Sequence, residues 1–254
     1  MKLNIVPAAT GFQWVQLGFR TFLKQPLALA VLVFMYATLG LALLVIPFIG
    51  PFLALGVAPL ATLGLMAATR VAEQGVFPMP AVLFTALRAT RERVRAMLLL
   101  GSLYAASLLV LGILVSLAVP MSFDGKTTAD IAQSDEFRLR VLATMVLYLP
   151  FSLAFWHAPA LVHWHGVPAG KSLFFSFVAC IRNLRAFAAY GIGWAGIFVA
   201  VLAATGIGAA VSPWLAAVVF GATSTIATIA FYISLYFTFR DSFVEAADLP
   251  GDAR

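Results

Sequence analysis

Apolar residues run along this chain in four long stretches that contain no Asp, Glu, Lys or Arg. They cover 25–69, 96–123, 141–170 and 186–239, with lengths of 45, 28, 30 and 54 residues. One helical bilayer crossing needs about 20 apolar residues, so every stretch can cross once and the first and last can cross twice. The first divides at Ile46-Pro47-Phe48-Ile49-Gly50-Pro51 and the last at Ser212-Pro213-Trp214. Proline lacks a backbone donor and clashes with the preceding turn, so it ends or kinks a helix at these points. The pattern predicts an all-α polytopic membrane protein, one integral membrane domain over 1–254. Its six spans lie near 27–46, 52–69, 96–119, 141–161, 186–210 and 214–239, with an outside loop at 120–140. The second span is the shortest and carries Pro59, which predicts a kink.

Between the spans the polar positions are also periodic. In 12–24, Gln13, Gln16, Arg20 and Lys24 share one helical stripe, and Phe12, Val15, Phe19 and Phe22 share another. In 81–95, Arg88, Arg91, Glu92 and Arg95 lie on one face, with Val82, Leu83, Leu87 and Val94 available to the other. The segment 171–185 begins at Lys171 and ends in Arg182, Asn183 and Arg185. Such faces suit helices lying in the membrane interface, with Arg20, Lys24, Arg88, Arg91, Arg95, Arg182 and Arg185 reaching lipid headgroups. The alternative is that each is merely the first turns of a long, tilted span.

Each segment precedes a two-helix hairpin, so the chain reads as three units. Pro59 and Pro150, Gly75 and Gly166, and Arg91 and Arg182 all recur at an offset of 91 residues. Aligning Lys24, Arg91 and Arg182 also aligns Gly18, Thr85 and Ser176, small residues that would let a surface helix approach a spanning one. All three units enter from one side, a parallel repeat about the membrane normal rather than the inverted repeat of many ion-coupled carriers.

Composition agrees with the pattern: 63% hydrophobic, 10% charged and a mean hydropathy of +1.01 exclude a soluble globular domain. The net charge of +6 does not point to nucleic acid, because short loops offer no surface for a duplex. With both termini inside, 13 Lys and Arg face the cytoplasm against Lys126, Arg138 and Arg140 outside, a strong positive-inside bias. The outside loop also carries Asp124, Asp130, Asp135 and Glu136. The first apolar run follows Arg20 and Lys24 and has no cleavable signal ahead of it, so it is expected to remain as an anchor. The single cysteine, Cys180, excludes an intrachain disulfide.

Gly196, Ala200, Ala204 and Gly208 repeat at four-residue spacing in the fifth span and form a flat helix-packing stripe. The sixth span, through Gly221, Ser224 and Thr228, or a second subunit could receive it. Trp14, Trp156, Trp164, Trp214, Tyr148 and Tyr236 fall near span ends, where aromatic side chains anchor at the interface. Trp194 sits deeper and is expected to pack.

All three histidines lie in Trp156-His157-Ala158-Pro159-Ala160-Leu161-Val162-His163-Trp164-His165-Gly166. His157, His163 and His165 form a candidate polar or metal-binding cluster, with Glu73 as a conceivable further ligand. Their spacing is poor for a metal, since a helix points His163 and His165 well apart. The plainer reading is that they touch headgroups or cap carbonyls at the cytoplasmic end of the fourth span. The zinc-protease, phosphate-loop and nucleophile-elbow motifs are absent, and no charged residue falls within a predicted span. No enzyme, metal or cofactor is expected, and the absent intramembrane charges argue against a proton-driven carrier.

The opening Met1-Lys2-Leu3-Asn4-Ile5-Val6-Pro7-Ala8 with Gly11-Phe12-Gln13-Trp14 resembles a family of inner-membrane proteins from beta- and related proteobacteria without an assigned activity. Ala67-Ala68-Thr69-Arg70, Pro78-Met79-Pro80, the Trp-His-Ala-Pro-Ala-Leu block from Trp156 and Lys171-Ser172-Leu173-Phe174-Phe175-Ser176 carry the same resemblance. More distantly, helix-plus-hairpin units look like the membrane domain of some glycerophosphodiester phosphodiesterases. The resemblance implies a bacterial plasma-membrane location and supplies no catalytic residues. The expected role is structural or envelope-supporting, through anionic lipids or a partner protein. The alternative is a transporter or permease for a small or lipidic solute.

Overall fold

The computed structural model describes residues 1–120 and 128–244. It is all-α apart from a two-residue strand at each end of the described chain. The order is β1 (Lys2–Leu3), α1 (Thr10–Lys24), α2 (Pro26–Leu44), α3 (Gly50–Glu73), a 3₁₀ helix (Pro80–Arg88) and α4 (Arg91–Ala118). Then follow α5 (Thr128–Gln133), α6 (Asp135–Trp156), α7 (Ala158–His165), α8 (Ala169–Arg182), α9 (Leu184–Val211), α10 (Pro213–Ser242) and β2 (Phe243–Val244). Among the described residues six segments are long and apolar enough to cross a membrane: α2, α3, α4, α6 with α7, α9 and α10. Leu27, Val45, Leu117 and Ile207 are each at least 74% exposed, apolar surface that hydrocarbon rather than water must cover.

The expected outside loop at 120–140 is described only in part. Residues 121–127, with Asp124 and Lys126, lie outside the described residues. From Asp135 onward the chain is already helix, because Ser134 caps it by accepting the Phe137 N–H at 3.2 Å. Asp135 and Glu136 then occupy the first turn, where a carboxylate suits the helix dipole. Further on, Pro59 and Pro150 both lie inside helices, α3 and α6. The fourth crossing breaks once, at His157, just ahead of Pro159 in the first turn of α7.

The two ends of the described chain meet at one end of the bundle, here the terminal face. Lys2 pairs with Val244 and Leu3 with Phe243 in an antiparallel ladder. Asn4 donates from its backbone to the Ser242 carbonyl and from its side chain to the Asp241 carbonyl, both at 2.9 Å. Asn183, almost fully buried between α8 and α9, accepts from the Val6 N–H at 2.9 Å and donates to the Asn4 carbonyl at 3.0 Å.

The three short helices at this face follow one rule. Each seats on the hairpin of the unit before it, and α1 closes the ring on the last. The 3₁₀ helix lies on α3 of the first hairpin, α8 on α6 and α7 of the second, and α1 on α9 and α10 of the third. Small residues permit each approach. A Cβ on Gly18 would lie 2.6 Å from the Ala230 carbonyl oxygen, and one on Gly11 would collide with the Ala186 carbonyl oxygen. A Cβ on Gly64 would come within 2.8 Å of the Leu83 carbonyl oxygen. Ser176 of α8 is fully buried and donates to the Leu153 carbonyl at 2.8 Å. The second helices of the three hairpins, α3, α7 and α10, meet at the centre through Met66, Leu161 and Leu235. Gly75 after α3 and Gly166 after α7, 91 residues apart, both turn in the left-handed region at φ 77° and 64°.

Candidate functional site

The basic residues expected at lipid headgroups cluster near the junctions between short and long helices. Arg20, Lys24, Arg88, Arg91, Arg95, Arg182 and Arg185 are all exposed. They do not sit on three uniform helices, however. Ala89 and Thr90 are extended, so Arg88 closes the 3₁₀ helix while Arg91 and Arg95 open the membrane-crossing α4. Glu92 in the first turn of α4 suits that new helix start. Likewise α8 ends at Arg182, and Arg185 belongs to the first turn of α9. Lys24 is engaged, 3.0 Å from Glu73, which also accepts the Thr21 hydroxyl at 2.7 Å.

The terminal face opens into a vestibule of about 740 Å³. Arg70 of α3, Trp164 and His165 of α7, and Tyr236, Phe239, Arg240 and Asp241 of α10 line it, with Asn4 and Thr10 from the amino-terminal segment. Sequence reasoning missed this site, because its parts lie as far apart as residues 4 and 244. Asp241 is doubly bound: it accepts Arg240 Nε–H at 2.8 Å and Trp14 Nε1–H at 2.9 Å. Arg70 stacks 5.8 Å from the Trp164 ring centroid, a cation–π distance. Trp14 was expected at the interface, yet it is fully buried. The bond to Asp241 satisfies its indole N–H, which is the condition for burying tryptophan in a core.

On the same axis, away from the termini, lies a second cavity of about 280 Å³. Tyr36, Tyr104, Tyr148 and Tyr232 surround it, with Thr62 and Ser152. The Thr62 and Ser152 hydroxyls both turn back to their own helices, donating to Ala58 and Leu149 carbonyls. Between the cavities Met66, Leu161 and Leu235 form a septum, none more than 6% exposed.

The histidines do not share a site. His157 is fully buried among Phe187, Phe239 and Phe243, with ring centroids 5.5 to 5.8 Å away. Its role is in the backbone: its N–H donates to the Ser176 hydroxyl at 2.9 Å across the break between α6 and α7. His163 is half-buried and close to Arg93, and His165 lines the vestibule. Glu73 is committed to Lys24 and Thr21. Among the described residues no group of three or more His, Cys, Asp or Glu is placed to hold a metal ion. Cys180, in α8, is buried and unpaired, and burial pushes its thiol up to about 12, outweighing the opposing Ser176 hydrogen bond.

The small-residue stripe is divided between two surroundings. Gly208 is buried against Ala216 of α10, where a Cβ would lie 3.2 Å from the Ala216 Cα, and Ala204 is half-buried. Gly196 and Ala200 are exposed. Trp194 packs as expected, stacking on Phe19 and meeting Phe231 edge-on.

A probable inner membrane protein of Burkholderia thailandensis is 33% identical to this chain over 256 residues, spanning 96% of this chain and 94% of the relative. No family model matches the chain, and no solved structure matches it.

Proposed function

The chain belongs to the same family as this Burkholderia inner membrane protein and is a multi-pass protein of the bacterial inner membrane, and we propose that it supports the envelope without catalysis by holding anionic lipids. The observation that carries this reading is the set of seven exposed basic side chains near the junctions of short and long helices. Arg20, Lys24, Arg88 and Arg182 project from short helices that small residues seat on neighbouring hairpins, and Arg91, Arg95 and Arg185 from the starts of α4 and α9. Both termini are then cytoplasmic, where 13 of the 16 Lys and Arg lie. Basic side chains at that surface contribute about 1 kcal/mol each toward anionic lipid. The distant likeness to glycerophosphodiester phosphodiesterase membrane domains would concern the helix-plus-hairpin units alone.

The test compares thermal unfolding in nanodiscs of phosphatidylcholine with and without phosphatidylglycerol. Phosphatidylglycerol should stabilise the native chain, and Arg88→Gln/Arg91→Gln/Arg95→Gln should lose much of that gain. Equal stabilisation of both proteins would leave these arginines with topology as their only role.

The two axial cavities favour a second reading, a carrier for a small or lipidic solute. Against it, the septum closes the axis and the Thr62 and Ser152 hydroxyls are spent on their own helices.

A further inference from the structure

We propose that the vestibule is a binding site for a phosphate oxyanion borne on an apolar body, with Arg70 as its anchor. Two guanidiniums, Arg70 and Arg240, line the cavity with one carboxylate, Asp241. Both Asp241 oxygens are taken, one by Arg240 and the other by the Trp14 indole. The remaining carboxylate nearby, Glu73, is taken by Lys24 and Thr21. Arg70 therefore has no carboxylate partner among the described residues, and its exposed guanidinium lies over the Trp164 ring, 5.8 Å from the centroid.

A guanidinium lying over an aromatic ring keeps its planar fork of donors available, and that fork matches two oxygens of a phosphate. The cavity volume of about 740 Å³ lies within the range of small-ligand sites, about 300–1,000 Å³. The walls supply the other half of the recognition: Trp164, Tyr236 and Phe239 offer an aromatic surface to an apolar moiety beside the charge. Thr10, in the first turn of the 15-residue α1, brings the positive end of that helix to the same cavity. Phosphate rather than carboxylate follows from position. Arg70 lies in the last turn of a membrane-crossing helix, at the face that carries the exposed basic side chains, where phosphate headgroups are the abundant anion.

This site is separate from the seven junction residues, so it and the envelope-supporting reading can fail independently. The experiment is a native mass spectrometry titration of the full chain in mild detergent. The probes are dioctanoyl phosphatidylglycerol, dioctanoylglycerol as the phosphate-free control, and inorganic phosphate as competitor. The native chain should take up one phosphatidylglycerol ahead of all others and no dioctanoylglycerol at that concentration. Arg70→Gln should weaken this first binding about tenfold, the scale of losing charge-assisted hydrogen bonds. Arg70→Lys, which keeps the charge and loses the fork, should fall between and also serves if Arg70→Gln does not fold. Arg88→Gln/Arg91→Gln/Arg95→Gln should keep the first site.

Competition by inorganic phosphate would assign the site to phosphate itself, free or esterified. Lipid binding without such competition would assign it to a lipid headgroup. Unchanged first binding in both Arg70 variants, equal uptake of dioctanoylglycerol, or no saturable first site in the native chain would each overturn the proposal.

Discussion

The two axial cavities share α3, α7 and α10, yet they are built on opposite principles. The vestibule collects charge and donors from distant parts of the chain, and almost every carboxylate oxygen around it is already matched. The inner cavity is smaller, ringed by tyrosines, and its two aliphatic hydroxyls bond to their own helices. The difference teaches where polarity is tolerated in this bundle. At the terminal face, α3, α7 and α10 build a polar site together with Thr10 of α1 and the paired segments β1 and β2. Further in, helix backbones absorb the polar groups, and the septum of Met66, Leu161 and Leu235 keeps the two regions apart.

The sharpest way to break this contrast is to remove the support under the vestibule. Trp14→Ala should cost about 3–5 kcal/mol, the scale for deleting a buried aromatic, and strand one Asp241 oxygen as well. Thermal unfolding in detergent would show it, and limited proteolysis should then cut near α1. Leu161→Ala, in the septum, should cost about 2–5 kcal/mol by the same measure, because buried leucines leave cavities that collapse only in part. Asn183→Ala should cost about 1–3 kcal/mol by leaving the Val6 N–H and Asn4 carbonyl without their partner. Gly75→Ala and Gly166→Ala should each cost about 1 kcal/mol, since both glycines hold positive φ, and similar losses would support equivalent turns in the first two units. Smallest of all, Tyr148→Phe in the inner cavity should change stability by less than about 0.5 kcal/mol. A loss as large as that of Leu161→Ala would show that the inner cavity is not the passive region described.

What could be read from the chain and what could not follows from the range of the interactions. Six crossings are visible because uncharged runs and the breaks at Pro47, Pro51 and Pro213 are local signals. The capped start of α6 was equally local, in Ser134-Asp135-Glu136, but its charges resembled a loop. The 91-residue offset was legible too, and the left-handed Gly75 and Gly166 give it a structural meaning. By contrast, nothing near Gly18 in sequence announces Ala230, and nothing near Arg70 announces Asp241. The ring of seated helices and the vestibule arise from such long-range approaches. Proximity misled most at the histidines, where the break at His157 sends three near neighbours to an aromatic core, an arginine and the vestibule.

The reading proposed above is of a supporting protein and not a conduit. Its most direct test is efflux of glycerol and inorganic phosphate from vesicles of phosphatidylethanolamine and phosphatidylglycerol containing the native chain. Efflux should match protein-free vesicles for both solutes, while Met66→Ala/Leu235→Ala, which thins the septum, should raise it. Saturable efflux through the native chain, abolished by Arg70→Gln, would contradict the account and establish a carrier.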